Sequence, residues 1–138
     1  MSEENKAVMQ RIYEEIWNKG NLEVVDELFS PDYVAHFLPP GMPPGREGFK
    51  AFVSTYRAAF PDVHTVIEDQ VAEGDKVVSR IRMRGTHRGI LMGIEPTGNS
   101  VEMTAIVITR IQSGRNVEAW VEQDRLAMLQ QLGVVPSA

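Results

Sequence analysis

A chain of 138 residues, 43% hydrophobic and 24% charged, has the size and composition of one soluble globular domain, and no linker-like stretch divides it. Its formal charge of −5 and its pI of about 5.2 argue against general binding to nucleic acid or to an anionic membrane. There is no cysteine, which excludes disulfides, a thiolate nucleophile and cysteine-held zinc; without a signal-like N-terminus or a membrane-length apolar run, the expected location is the cytoplasm.

The first half reads as helices. Val8, Met9, Ile12, Tyr13, Ile16 and Trp17 form one apolar stripe, ended by Asn18-Lys19-Gly20. Asn21 can cap a second, shorter helix carrying Leu22, Val25, Leu28 and Phe29, with Ser30-Pro31 as its stop. A short extended piece, Tyr33 to Phe37, precedes LPPGMPPGRE, where four of the eight prolines remove backbone donors and enforce a loop. A third helix then places Phe49, Phe52, Val53, Tyr56 and Phe60 on one side.

The second half reads as strands. Val63, Thr65, Ile67, Asp69 and Val71 alternate with more polar neighbours, and a Glu73-Gly74-Asp75 turn follows. In the next strand Val77, Ser79, Ile81, Met83 and Gly85 face one way and Val78, Arg80, Arg82 and Arg84 the other. A long connection, RGILMGIEPTGN, leads to VEMTAIVITRI, and a Gln112–Arg115 turn leads to NVEAWVEQ. Helices followed by antiparallel strands indicate an α+β domain spanning residues 1–138.

Several chemistries are missing. There is no G-x-S-x-G elbow, no P-loop and no strand-borne G-x-G-x-x-G, and His36, His64 and His87 are too dispersed for a short-range metal motif. No metal and no cofactor is therefore expected. In the last strand, period two puts Glu118, Trp120, Glu122 and Asp124 on one face, opposite Val117, Ala119 and Val121. If the acid-bearing face lines a cavity, Trp120 walls it and a desolvated Asp124 can carry protons near neutral pH. Asp124 also immediately precedes RLAMLQQLG, the ordinary place for a helix N-cap, although Ala127 occupies the position of the reciprocal capping-box residue. Both readings stand at this point. Tyr13 and Trp17, four apart, belong either to the core or to the roof of a cavity.

The runs GNLEVVDELFSPDYVAHF, GTHRGILMGIEPTGNSVEM and QSGRNVEAWVEQDRLAMLQQLG resemble the SnoaL-like polyketide (ester) cyclase family of the nuclear transport factor 2-like superfamily. The resemblance runs from about Ile12 to Gly133. It implies a cone-shaped α+β barrel, a strongly curved antiparallel sheet wrapped around N-terminal helices and a deep pocket. It also implies a homodimer or homotetramer packed through the outer sheet surface. Characterised cyclases of this kind close a ring by intramolecular aldol condensation without metal or cofactor, using an aspartate as general acid and base. That aspartate matches Asp124, and a polar residue after the second helix matches His36. His87 lies in the shared Gly-Thr-His motif. One departure is the strand Val101 to Thr109, where Val101, Met103, Ala105 and Val107 give an apolar face in place of further polar groups.

The resulting expectation is a cofactor-independent enzyme acting on a small apolar or aromatic carbonyl compound. Asp124 and His36 would be catalytic, and Tyr13, Trp17, Met83, His87, Met103 and Trp120 would contact the substrate. An isomerase or hydratase, or a non-catalytic small-molecule binding module, are the alternatives.

Overall fold

Strand alternation sets most of the architecture. The computed structural model describes residues 2–136. Strands β2 (His64–Glu73), β3 (Lys76–Thr86), β4 (Ser100–Gln112) and β5 (Arg115–Gln123) form an antiparallel run, and β3 and β4 stay in register from Lys76 opposite Arg110 to Thr86 opposite Ser100. On these strands the expected apolar face is buried: Val77, Ser79, Ile81 and Met83 on β3, and Val101, Met103, Ala105, Val107, Thr109 and Ile111 on β4. The β4–β5 turn needs two residues with positive φ, and Ser113 and Gly114 supply them at 53° and 76°.

The helices cover the concave face. Helix α1 (Ser2–Arg11) continues into a π-helical segment, Ile12–Asn18, whose wider turns keep Tyr13 and Trp17 on the buried side. Helix α2 (Glu23–Leu28) is short, and α3 (Gly45–Ala59) buries Phe49, Phe52, Val53 and Tyr56. Trp17 meets the rings of Phe49, Phe52 and Tyr56 edge-on, with centroids 5.9–6.2 Å apart, which locks the π-helical segment onto α3. Helix α4 (Arg125–Gln131) follows β5 and packs Met128 and Leu132 with Phe60 and Met103.

Two local expectations are corrected. Helix α2 starts at Glu23 without any side-chain cap, so Asn21 does not serve as one. Ser30-Pro31 does not stop a helix; the chain is already a strand, β1 (Phe29–Ala35). β1 lies at the sheet edge, where proline costs no interior ladder bond, and runs parallel to β5. The sheet order is therefore β1-β5-β4-β3-β2, antiparallel except for one edge pair, curved and not closed. Among the described residues no helix is long and apolar enough to cross a membrane.

Candidate functional site

Between the helices and the concave face of the sheet lies a cavity of about 700 Å³ of atom-free space counted out to its mouth. Its wall is mostly rings and aliphatic groups: Ile12 and Trp17 from the π-helical segment, Phe29 from β1, Phe49 and Phe52 from α3, and Ile81, Met83, Met103, Ala105 and Val107 from the sheet. The polar groups on the wall are neutral ones. They include the phenols of Tyr13, Tyr33 and Tyr56, the hydroxyls of Thr65 and Thr109, and the amides of Asn116 and Gln123. Among the described residues no acidic or basic side chain lines it.

Burial pushes all three phenols above the ordinary tyrosine value, so they remain protonated donors at neutral pH. For Tyr33 the neighbouring Tyr13 adds to the rise. For Tyr56 the charge of Arg125 and hydrogen bonding to Gln123 and Arg125 work against desolvation without overcoming it. Tyr56 and Gln123 both line the cavity near the start of α4, where Gln123 is only partly buried.

The structure divides the residues singled out from the sequence into two groups. Tyr13, Trp17, Met83 and Met103 line the cavity. His36, His87, Trp120 and Asp124 do not. On β5 the uncharged side chains of Ala119, Val121 and Gln123 line the cavity, while Glu118, Trp120 and Glu122 point to the convex side. The expected face is thereby reversed, and the reason is electrostatic as well as steric. Glu118 lies opposite Arg110 of β4 on the solvent side and binds it at 3.0 Å, a partner the apolar interior lacks.

His36 and Trp120 do come together, on that convex side. Their rings stack with centroids 4.9 Å apart and an interplanar angle of 10°, and His36 Nε2 lies 2.6 Å from Glu118 Oε2. His36 and then Arg110 hold the Glu118 carboxyl below its ordinary range. Asp124 is exposed and caps α4, its Oδ1 accepting the Ala127 N–H at 3.0 Å. It borders a shallow outer hollow with Arg80, Thr104, Ile106 and Glu122.

His87 is fully buried but belongs to the loop after β3. Its Nδ1 accepts the Thr97 N–H at 3.1 Å, so in a neutral ring the hydrogen sits on Nε2. Its backbone N–H donates to Asn99 and its carbonyl accepts from Gly98, which ties both ends of the 88–99 connection together. Neither of these expected substrate contacts borders the cavity: His87 clasps a loop and Trp120 covers the outer sheet. Among the described residues no group of three or more His, Asp or Glu side chains is arranged to hold a metal.

Sequence reading missed Tyr33, Tyr56, Thr109, Asn116 and Gln123 as cavity groups. Gln123 had a signal, because it shares the period of Ala119 and Val121. Asn116 had none. By period two it belongs with Glu118, but Arg110 pairs with Glu118 and Ile111 with Asn116, which leaves Val117 as an extra bulged residue. That bulge turns Asn116 to the inside.

A bent sheet closed over by helices around an apolar pocket is the nuclear transport factor 2-like α+β class, and solved structures share it closely. TsrD from Streptomyces laurentii is 27% identical, with 96% of each chain covered and a TM-score of 0.87. IdmH from Streptomyces antibioticus, a proposed polyketide cyclase, is 39% identical over 94% of this chain and 99% of its own, with a TM-score of 0.82. AclR from Streptomyces galilaeus, a proposed hydroxylase, is 28% identical over 100% of this chain and 86% of its own, with a TM-score of 0.87. No curated protein matches the chain. The sequence pattern of the SnoaL-like polyketide cyclase family matches residues 7–132, and the chain belongs to that family.

Proposed function

We propose that the protein is an enzyme that takes a small apolar or aromatic carbonyl compound into the cavity and polarises its carbonyl through neutral donors, using no metal or cofactor. The observation that carries this reading is a mostly apolar cavity whose few polar groups are neutral, with Tyr56 and Gln123 near its α4 end and the Tyr56 phenol kept protonated by burial. A protonated phenol and an amide N–H stabilise negative charge that develops on a carbonyl oxygen during enolisation, while the α-proton passes to a water admitted at the cavity mouth, since no lining side chain among the described residues is a base. An aldol-type ring closure is the specific form suggested by the family and by IdmH, a proposed polyketide cyclase. The catalytic roles expected of Asp124 and His36 would require each to leave its present partners, the Ala127 N–H for one and Glu118 with Trp120 for the other. The proposal therefore rests on the cavity donors.

One observation favours a second reading. No carboxylate or imidazole among the described residues lines the cavity, so a binding module that performs no chemistry needs nothing more than what is there. Hydrogen–deuterium exchange separates the two. With acetophenone in deuterium oxide, NMR should show exchange at the methyl group faster than in buffer, and Tyr56→Phe should lower that rate on the order of 100-fold. Saturation-transfer signals from bound ketone without any acceleration would establish the binding module instead.

A further inference from the structure

Three polar atoms on the cavity wall have no hydrogen-bond partner although they are sealed from solvent: Tyr33 Oη, Thr109 Oγ1 and Asn116 Oδ1. Their residues are 3%, 0% and 3% exposed. Leaving one such group without a partner costs roughly 1–3 kcal/mol, so three on one wall call for an explanation. They are also neighbours. Thr109 lies opposite Ala119 and Asn116 opposite Ile111, so the two are diagonal neighbours on the inner face across the β4–β5 ladder. Phe29 of β1 is in register with Asn116, and the Tyr33 ring packs on Phe29 at 4.7 Å.

The cluster lies at one end of the cavity. Gln123 lies opposite Ala105 of β4, and Ala105 to Thr109 spans four residue steps, roughly 13 Å of strand, with Tyr56 in the same hydrophobic cluster as Met103 beyond Ala105. The other cavity-lining residues of that stretch, Ala105 and Val107, are apolar.

We propose that Tyr33, Thr109 and Asn116 form a subsite for a hydroxyl group on the far end of the ligand, a phenol or an alcohol. This rests on the cavity being a ligand site, as proposed above. A hydroxyl both donates and accepts, which is what this set demands. The Asn116 oxygen needs a donor, whereas the hydroxyls of Tyr33 and Thr109 can turn to give or receive. A carbonyl or ether oxygen would leave the amide oxygen orphaned. A charged carboxylate would enter a site with no cation among the cavity residues. The substrate class that follows is a slender, ring-containing molecule with a hydroxyl at one end and its reacting carbonyl near Tyr56. Discrimination against the deoxy analogue would come from the unpaired protein groups it leaves behind.

The probes are 2-naphthol and naphthalene, which differ by the one hydroxyl, titrated calorimetrically into wild type and into Tyr33→Phe, Thr109→Val and the double variant Thr109→Val/Asn116→Leu. Wild type should bind 2-naphthol about tenfold more tightly, the order of one net hydrogen bond. The single variants should shrink the ratio, and the double variant should erase it with naphthalene bound at least as tightly as before. Thr109→Val and Tyr33→Phe remove partnerless polar atoms, so their thermal midpoints should not fall, which keeps the test independent of a folding defect in the double variant. Naphthalene binding with no preference for 2-naphthol, or a preference that survives every variant, overturns the hydroxyl subsite and leaves the cavity reading standing. Failure of both probes to bind overturns the cavity reading, and the subsite with it.

Discussion

The two faces of this sheet are made from the same strands and obey opposite rules. On the concave face, the β4 residues Met103, Ala105, Val107 and Thr109 and the β5 residues Ala119 and Val121 offer no charge, and the polar groups that reach the cavity are neutral. On the convex face, charges are linked across strands. Glu68 bridges Arg80 and Arg82, Arg82 also meets Glu102, and Arg110 and His36 converge on Glu118. The difference teaches where chemistry can be sought. Ion pairs tolerate water and contribute little to stability at a surface, whereas a neutral phenol in an apolar wall keeps its full hydrogen-bonding strength for a ligand.

The sharpest way to break this contrast is to give adjacent residues of β4 the same charge. Val107 is buried and lines the cavity, while Ile106 is exposed and faces Arg80 across the β3–β4 ladder. Val107→Glu puts a carboxylate where nothing on the wall can neutralise it and should cost more than about 3 kcal/mol, or abolish folding. Ile106→Glu should stay within about 0.5 kcal/mol, because its charge remains hydrated and finds Arg80. Urea unfolding midpoints measure both. Equal costs would mean that the cavity is not the dry compartment described here.

How much of this could be read from the chain follows the same division. On β3 and β4 the alternation was legible, since each is paired on both sides for most of its length and one apolar set per strand has to be buried. The assignment of faces on β5 was not. Trp120 is the largest apolar residue there and pulls a sequence reading toward burying its face, but its ring is covered from outside by His36, a residue 84 positions earlier. The strand at Phe29–Ala35 was obscured by Pro31, which ends a helix in most contexts and is tolerated here only because β1 is an edge. The inner polar cluster was invisible for a different reason. Lone Tyr, Thr and Asn residues carry no pattern, and only the bulge at Val117 turns Asn116 inward. The family itself was legible, because the Gly-Thr-His and Trp-x-x-x-Asp segments are contiguous in sequence.

Asp124 lies at the boundary between the two faces, one residue after cavity-lining Gln123, and two substitutions sharpen which side it serves. Asparagine can still accept the Ala127 N–H, so Asp124→Asn should leave the thermal midpoint nearly unchanged. Alanine cannot, and Asp124→Ala should cost about 1 kcal/mol through loss of the cap. Calorimetric unfolding of the pair checks the structural role. Exchange of acetophenone protons in Asp124→Asn checks the other: a rate equal to that of wild type removes the carboxylate from the chemistry, and a collapse with stability intact would make Asp124 the base that serves the Tyr56 end of the cavity.

The smallest effect concerns the convex face alone. The Glu118 carboxyl is held below its ordinary value by hydrogen bonding to His36 and then Arg110. A folded-state pKa below the unfolded one contributes stability that is fully present above the unfolded value, here 4.5, and is lost as pH falls through the folded value. Asp62, Glu15 and Glu27 are shifted in the same direction, so the acid limb of the whole protein is composite. Glu118→Gln isolates one contribution. Compared with wild type it should be slightly less stable at pH 7, and the gap should narrow as pH falls below 4.5, measured as urea midpoints between pH 3 and 7. Because the group is solvent-accessible and its partners are charged, added salt should shrink the difference at pH 7. The cavity should register nothing: the 2-naphthol affinity of Glu118→Gln should match wild type across the same salt range, since the sheet separates this carboxylate from the concave wall.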